Sequence, residues 1–285
     1  MLDGQSLCIG LDVVEKTFGS IFADGNIVER LMPTIDLNSD LAEGYGTYRC
    51  GDDDAMLSLV TSANVACGFH AGDPEIMAQA FKLAKERGVA VGAHPGFPDL
   101  WGFGRRRIPL TAGEIERVVA YQIGAAQALA SYAGHRITYV KAHGALGNMM
   151  EADQSMAAAV ARAIKAVDRS LIFLAIACSE QVKAAEAAGL TTIAEIYADR
   201  GYTEQGRLVP RGQPGAMIED PDEAARRVLA MVKDGAIVTV AGTKLKTDIG
   251  SVCVHGDSPH AVETARRVRT RLEADGVTLA PFSSR

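Results

Sequence analysis

Four of the six histidines in this chain stand directly after short apolar runs: His70 in SANVACGFHAGD, His94 in VAVGAHPGF, His143 in ITYVKAHGAL and His255 in SVCVHGD. Imidazole changes charge near neutrality, so it serves as acid, base or metal ligand. One histidine in such a place is ordinarily satisfied by a loop carbonyl. Four at equivalent places point to one shared active site. Other ionisable groups keep the same company. Asp40 closes the run that starts at Ile35, Lys141 shares a face with His143, Asn64 shares one with His70, and Glu195, Tyr197 and Asp199 alternate just ahead of Arg200. Two chemistries suit the set, and both stay open. Asp40, His70 and His94 form a two-histidine, one-carboxylate divalent-metal set drawn from three successive strands. The same rim also works as acid and base with no metal.

These groups meet only if the backbone brings their elements together. Along 35–41, Ile35, Leu37, Ser39 and Leu41 fall on one parity, and Asp36, Asn38 and Asp40 on the other. In a closed barrel the polar set points inward, where an unpaired carboxylate is costly and must meet a partner such as Lys141 or a histidine. Asp40, nearest the rim, is then available for chemistry, with Asp36 and Asn38 deeper as orienting groups. The alternative for Asp36 is a solvated strand start.

From residue 34 onward, β-branched runs alternate with amphipathic stretches. Strands are expected at 35–40, 63–67, 89–93, 137–142, 171–176, 191–196, 236–241 and 251–254. Thr111–Glu114 and Asp220–Glu223 read as capping boxes; Asp73-Pro74, Asp220-Pro221 and Ser258-Pro259 set a cap before a first-turn proline; Gly88, Gly189 and Gly235 close helices. Seven or eight such alternations without a break in composition favour a single (β/α) barrel over two doubly wound domains. The polar stretch 242–250 is too short for a crossover helix, so 238–254 is expected to be a hairpin excursion. Residues 1–31 match none of this pattern and read as an amino-terminal extension that need not belong to the fold, ahead of a single domain over 32–285.

With 285 residues, 48% hydrophobic, 22% charged and a net charge of −6, the chain has no electrostatic reason to bind nucleic acid or anionic membrane. Arg105-Arg106-Arg107 is the exception; it reads as a solvated loop, with phosphate or carboxylate capture as the alternative. Five cysteines without a Cys-x-x-Cys spacing fit a reduced cytoplasm. No apolar run has the length of a membrane span, and no signal peptide opens the chain. Glycine-rich nucleotide loops and a Gly-x-Ser-x-Gly elbow are absent, which leaves a nucleotide fold or a serine hydrolase without support.

The strings DLNSDLAEGYG, SANVACGFHAGDP, GVAVGAHPGFPDLWGFGRR, VKAHGALGN, EIYADRGYTEQGRLVPRGQPGAMI and VCVHGD, in that order, resemble the LamB/YcsF family, to which the A subunit of 5-oxoprolinase belongs. The resemblance runs from about Ile35 to the last helix. It implies a barrel of the glycoside hydrolase and deacetylase type, often described as seven-stranded, in a subunit that works with partners B and C to open 5-oxo-L-proline to L-glutamate at the expense of ATP. It carries over Asp40, His70, His94, Lys141 and His143 as the catalytic rim, with Asn38, Asn64, Glu195, Arg200 and His255 around the substrate. The roles inferred are Asp40 or His70 as base on water, His94 or His143 as proton donor to the ring nitrogen, Lys141 against developing negative charge and Arg200 on the substrate carboxylate. With no ATP loop in this chain, a partner is expected to phosphorylate. The alternatives are a non-catalytic binding subunit or a metal-dependent amide or ester hydrolase without ATP, and self-association is open.

Overall fold

The computed structural model describes residues 20–23, 26–29 and 33–284. The chain divides into two units, Met1–Pro33 and Thr34–Arg285. In the first, β1 (Ser20–Ala23) and β2 (Asn26–Glu29) pair antiparallel. The rest of the expected extension, 1–31, including Cys8, lies outside the described residues.

In the second unit β3 (Thr34–Leu41), β4 (Ser62–Ala66), β5 (Ala90–His94), β6 (Ile137–Val140), β7 (Ile172–Ile176) and β8 (Thr192–Tyr197) run parallel, each beside the next. The chain then makes an antiparallel hairpin, but of β9 (Ala236–Val238) with β10 (Lys244–Lys246), a strand inside the polar stretch 242–250, rather than over the expected 238–254. It returns as β11 (Ser251–Val254), which pairs with both β8 and β3 and closes a ring of seven. The expected strand at 236–241 thus belongs to the hairpin, not the barrel. Short β12 (Thr278–Leu279) extends β3 at its start.

Helices α1 (Asp53–Leu57), α2 (Pro74–Glu86), α3 (Ala112–Tyr132), α4 (Gly144–Met150), α5 (Gln154–Val167), α6 (Glu180–Ala188), α7 (Pro221–Asp234) and α8 (Ala261–Ala274) connect the strands. Their starts follow the side-chain chemistry. Asp73 caps α2 ahead of Pro74, Thr111 and Glu114 cap α3 reciprocally, and Asp220 caps α7. Ser258-Pro259 does not cap α8: the helix starts at Ala261, after His260, without a side-chain cap. Apolar stripes such as Met156, Val160 and Ile164 on α5 face inward, and α3 packs on α5 as α7 packs on α8.

Because β3 is covered on both faces, both of its parities are buried. Ile35, Leu37 and Leu41 belong to the apolar layer, while Asp36, Asn38 and Asp40 hydrogen-bond across the barrel interior. Most parallel barrels fill that space with Val, Ile and Leu. Here a polar network fills it, and Tyr139 reaches in over Gly92, where a Cβ would lie 2.4 Å from the ring. Only glycine at that position leaves the phenol room to cross.

Candidate active site

Asp36 lies lowest in the network, fully buried rather than at a solvated strand start; it accepts from Thr61 Oγ1 at 2.6 Å, from Ser62 Oγ at 2.5 Å and from the Ser251 hydroxyl. Asn38 donates to Ser251 Oγ at 2.7 Å and Glu195 Oε2 at 3.2 Å, and accepts from Asn64 Nδ2 at 2.7 Å. Asn64 also donates to Asp40 Oδ1 at 2.8 Å and accepts from the Tyr139 hydroxyl at 2.7 Å. Donors and acceptors are matched, which is what makes so polar an interior tolerable.

Lys141 rises through this floor. Its ammonium, 2% exposed, lies 2.8 Å from Asp40 Oδ1, 2.9 Å from Cys253 Sγ and 3.5 Å from Glu195 Oε2. Burial pulls its pKa down, but Asp40, Cys253 and Glu195 outweigh burial and leave it well above the ordinary lysine value. Burial likewise pushes Asp40 up, yet His94 and Lys141 hold the carboxyl well below its usual range. Lysine and aspartate therefore form a charged pair at neutral pH. Burial raises the Glu195 carboxyl in spite of Lys141.

Three histidines gather beside the pair. The rings of His70 and His143 stack with centroids 3.6 Å apart, and His94 meets His143 edge-on at 4.9 Å. Gly104, at φ +64°, lets the loop after β5 close over them, where a Cβ would lie 2.6 Å from the His70 Cβ. Glu43 Oε1 is 3.3 Å from His70 Nε2 and 3.2 Å from His143 Nδ1. Burial draws His70 down to about 3, with His143 adding to it, and burial lowers His94 in spite of Asp40.

The outer hydrogen bonds fix the tautomers of two rings. His94 Nδ1 is 2.8 Å from the Lys141 carbonyl and His143 Nε2 is 2.8 Å from the Phe103 carbonyl, so both nitrogens carry protons. When both rings are neutral, their other nitrogens are bare lone pairs, and these face each other at 3.0 Å. Lone pairs do not bond to lone pairs. With Glu43 and His70, they converge where a cation would satisfy all four groups, and the ligand atoms lie within 4.8 Å of one another. Bonds of about 2.0–2.1 Å at tetrahedral angles separate ligands by about 3.3 Å, close to the spacings here. The donor set, three imidazoles and a carboxylate, fits a divalent ion such as zinc, manganese or iron.

Above the groups lies a cavity of about 870 Å³ lined by Asp40, His94, Lys141, His143, Tyr197 and His255 among others. His255 Nδ1 is 2.8 Å from Asp199 Oδ2, and its ring stacks on Tyr197 at 5.1 Å. Tyr197 donates to Glu195 Oε1 at 3.0 Å. An Asp40 oxygen and a His255 nitrogen lie within 4.8 Å of each other.

Residues 35–285 match the LamB/YcsF family. The chain belongs to that family. A protein of Azorhizobium caulinodans named as the A subunit of 5-oxoprolinase is 66% identical over 252 residues, covering 88% of this chain and 100% of that protein. One of the same name from Gluconobacter oxydans is 58% identical over 246 residues, covering 86% and 97%. The crystal structure of the Lactam Utilization Protein from Thermus thermophilus superposes with a TM-score of 0.83 at 43% identity, covering 87% of this chain and 100% of that one.

Within this LamB/YcsF barrel, the sequence-predicted residues converge but do not all face the cavity. Asp40, His94, Lys141, His143, Arg200 and His255 line it, whereas Asn38, Asn64, His70 and Glu195 are 0% exposed and form its floor or flank. Arg200 donates Nε to the Ala216 carbonyl at 3.1 Å and Nη2 to that of Val209 at 2.7 Å, pinning the loop after β8. Sequence reasoning missed Glu43, the carboxylate that faces two histidines. Its signal was present, an acid three residues past Asp40, but it needs the left-handed turn at Ala42, φ +60°, to point inward. Cys253 beside Lys141, and Glu151 in the cavity wall, were likewise unforeseen.

Proposed function

We propose that this chain is the A subunit of an ATP-dependent 5-oxoprolinase that opens 5-oxo-L-proline to L-glutamate with partner subunits B and C, and that the unit Thr34–Arg285 carries its site. The observation that carries the reading is the 66% identity, over the whole of the Azorhizobium protein, to a chain named as that subunit. The geometry supplies what lactam opening needs: a charged carboxylate–ammonium pair, an oriented histidine and a closed, polar floor. The cytoplasm is the proposed compartment; Cys50, Cys67, Cys178 and Cys253 are free thiols. Among the described residues no helix is long and apolar enough to cross a membrane.

A lactam is a resonance-stabilised amide, and phosphorylation of its oxygen by a partner subunit makes the ring carbon electrophilic. Asp40, held as a carboxylate, accepts a proton from water while the water oxygen bonds to that carbon. Lys141, held as an ammonium, faces the negative charge that develops. His255, acting as an imidazolium with its Nδ1–H on the Asp199 carboxylate, gives its Nε2 proton to the ring nitrogen as the C–N bond breaks, and the proton that Asp40 took from water restores it. The acyl phosphate left behind takes a second water and yields glutamate and phosphate. The donor role moves to His255 because His94 and His143 commit one nitrogen each to a carbonyl and turn the other toward Glu43 and His70. Glu43, His70, His94 and His143 would hold a divalent ion, which would supply Lewis acidity to the site.

The test is to incubate the purified chain with 5-oxoproline and ATP, alone and with partners, while measuring glutamate and ADP. Turnover only in the mixture supports the reading; no turnover in any mixture refutes it. The four-group cluster favours a second reading, a metal-dependent amide hydrolase without ATP. Activity that needs zinc or manganese, vanishes with a chelator and ignores ATP would select it.

A further inference from the structure

Helix α3 buries one face at Ile115, Val119, Gln122, Ile123, Ala126 and Ala130. The spacing is that of a core stripe, and every member but one is apolar. Gln122 breaks the stripe at 0% exposure. A buried amide is tolerable when each of its donors and acceptors is met, and here all are. Gln122 Oε1 accepts from the Gly96 amide at 2.9 Å, while Nε2 donates to the Gly96 carbonyl at 2.9 Å and to the Val118 carbonyl at 3.0 Å. Gly96 is buried and lies two residues past the end of β5. The side chain thus gives Gly96 the pair of backbone partners that a neighbouring strand gives residues within the sheet.

The turn that Gln122 grips touches all three rings of the histidine cluster. His94 opens it, the Pro95 carbonyl accepts from the His143 amide at 2.9 Å, and Gly96 supports His70, since a Cβ at Gly96 would lie 2.7 Å from His70 Nδ1. His70 depends on that support. Among the described residues its Nδ1 has no hydrogen-bond partner, and its Nε2 meets Glu43 at 3.3 Å. The ring is therefore placed mainly by contact, against Gly96 and stacked on His143 with centroids 3.6 Å apart. We propose that Gln122 is a positioning residue: by holding both backbone groups of Gly96, it fixes where His70, His94 and His143 stand relative to one another. Gln122 itself lies outside the cavity lining. The inference rests on the reading of that cluster as part of the active site.

The experiment is imidazole nitrogen–proton NMR of the metal-free full chain and of Gln122→Met, which fills the stripe at similar volume but offers Gly96 neither bond. The signals of His70, His94 and His143 should move or broaden, while those of His135, His255 and His260 stay in place. An amide that merely anchored α3 would change the melting temperature and leave the three rings alone. Ile123→Val, which thins the same buried face, controls for a looser helix and should leave every signal where it is. Cobalt(II) titration against a chromophoric chelator should show binding weaker by about 10- to 100-fold in Gln122→Met. Gln122→Glu keeps an acceptor for the Gly96 amide but, as a carboxylate, loses the donor for its carbonyl, and it is read in the same way should the methionine variant not fold. Unmoved signals from the three histidines in a folded variant, equal shifts in Ile123→Val, or cobalt bound equally by parent and variant overturn the proposal. The imidazole spectrum uses neither metal nor turnover. A chain without cobalt affinity, or a complex that fails to open 5-oxoproline, therefore defeats the chemistry assigned to the cluster and not the placement of its rings.

Discussion

Replacing Glu151 with glutamine isolates one buried carboxyl in the cavity wall. Glu151 is 6% exposed and accepts a hydrogen bond from the Leu208 amide at 2.8 Å. Burial pushes its pKa from 4.5 up to about 7, against the opposing pull of that amide and of Arg200 and Arg207. The folded value lies above the unfolded one, so the protonated form is favoured in the fold. The associated stability is fully present below about pH 4.5, shrinks as pH rises, and is gone once pH passes about 7. A rise from 4.5 to about 7, at about 1.4 kcal/mol for each pH unit, sets an upper bound of about 3.5 kcal/mol. Glutamine can still accept from Leu208 but carries no charge, so Glu151→Gln should be near neutral at about pH 4.5 and more stable than the parent by up to about 3.5 kcal/mol at about pH 8. Urea unfolding of both proteins from about pH 4.5 to about pH 8 measures the difference. Comparing the two cancels Asp53, which burial also raises, to about 6. A stability difference that stays constant across that range would refute the reasoning.

The remaining predictions concern the floor and the histidines. Lys141→Met leaves the Asp40 and Glu195 carboxyls buried without their ammonium and should lower unfolding free energy by about 3–5 kcal/mol; a loss under about 1 kcal/mol in denaturant titration would contradict the charged pair. Asp40→Asn should reduce turnover of the assembled complex by about 10² to 10⁴-fold while the far-ultraviolet spectrum holds, and near-normal turnover would remove Asp40 from the chemistry. Glu43→Gln or His70→Ala should strip tightly bound divalent metal from the purified chain, read by elemental analysis after dialysis; equal metal content in parent and variants would mean that the ion sits elsewhere.

Much of this site was legible because strand parity is a rigid rule. Alternation over 35–41 placed Asp36, Asn38 and Asp40 inside once the sheet closed, and the structure gives each a partner there. Histidines directly after strands met because the parallel strands end together, whereas His135, which follows a helix, binds the Val89 carbonyl at 3.0 Å and takes no part. Loop residues obey no such periodicity. Glu43 depends on one left-handed alanine, and Arg207 and Arg211 depend on a loop that folds back through the pairings of Arg200 with Met217 and of Tyr202 with Leu208. The Ser258-Pro259 signal failed for a related reason: a local cap preference is a small term that the path of the chain into α8 overrides.

The saturated interior bears directly on the chemistry. Asp40 is held from below by Asn64 and from the side by Lys141, so its carboxylate cannot turn away from an approaching charge. A carboxylate free to rotate would have to reorganise in every catalytic cycle; one fixed by the fold has that reorganisation already made. The polar floor is thus an extension of the site. A change such as Asn64→Leu, which removes no group that lines the cavity, deletes a donor to Asp40 and an acceptor for Tyr139. It should therefore depress turnover per folded complex more than substrate affinity. Equal losses in both, or a loss in affinity alone, would show that the floor only supports the fold and leaves the reacting carboxylate to orient itself.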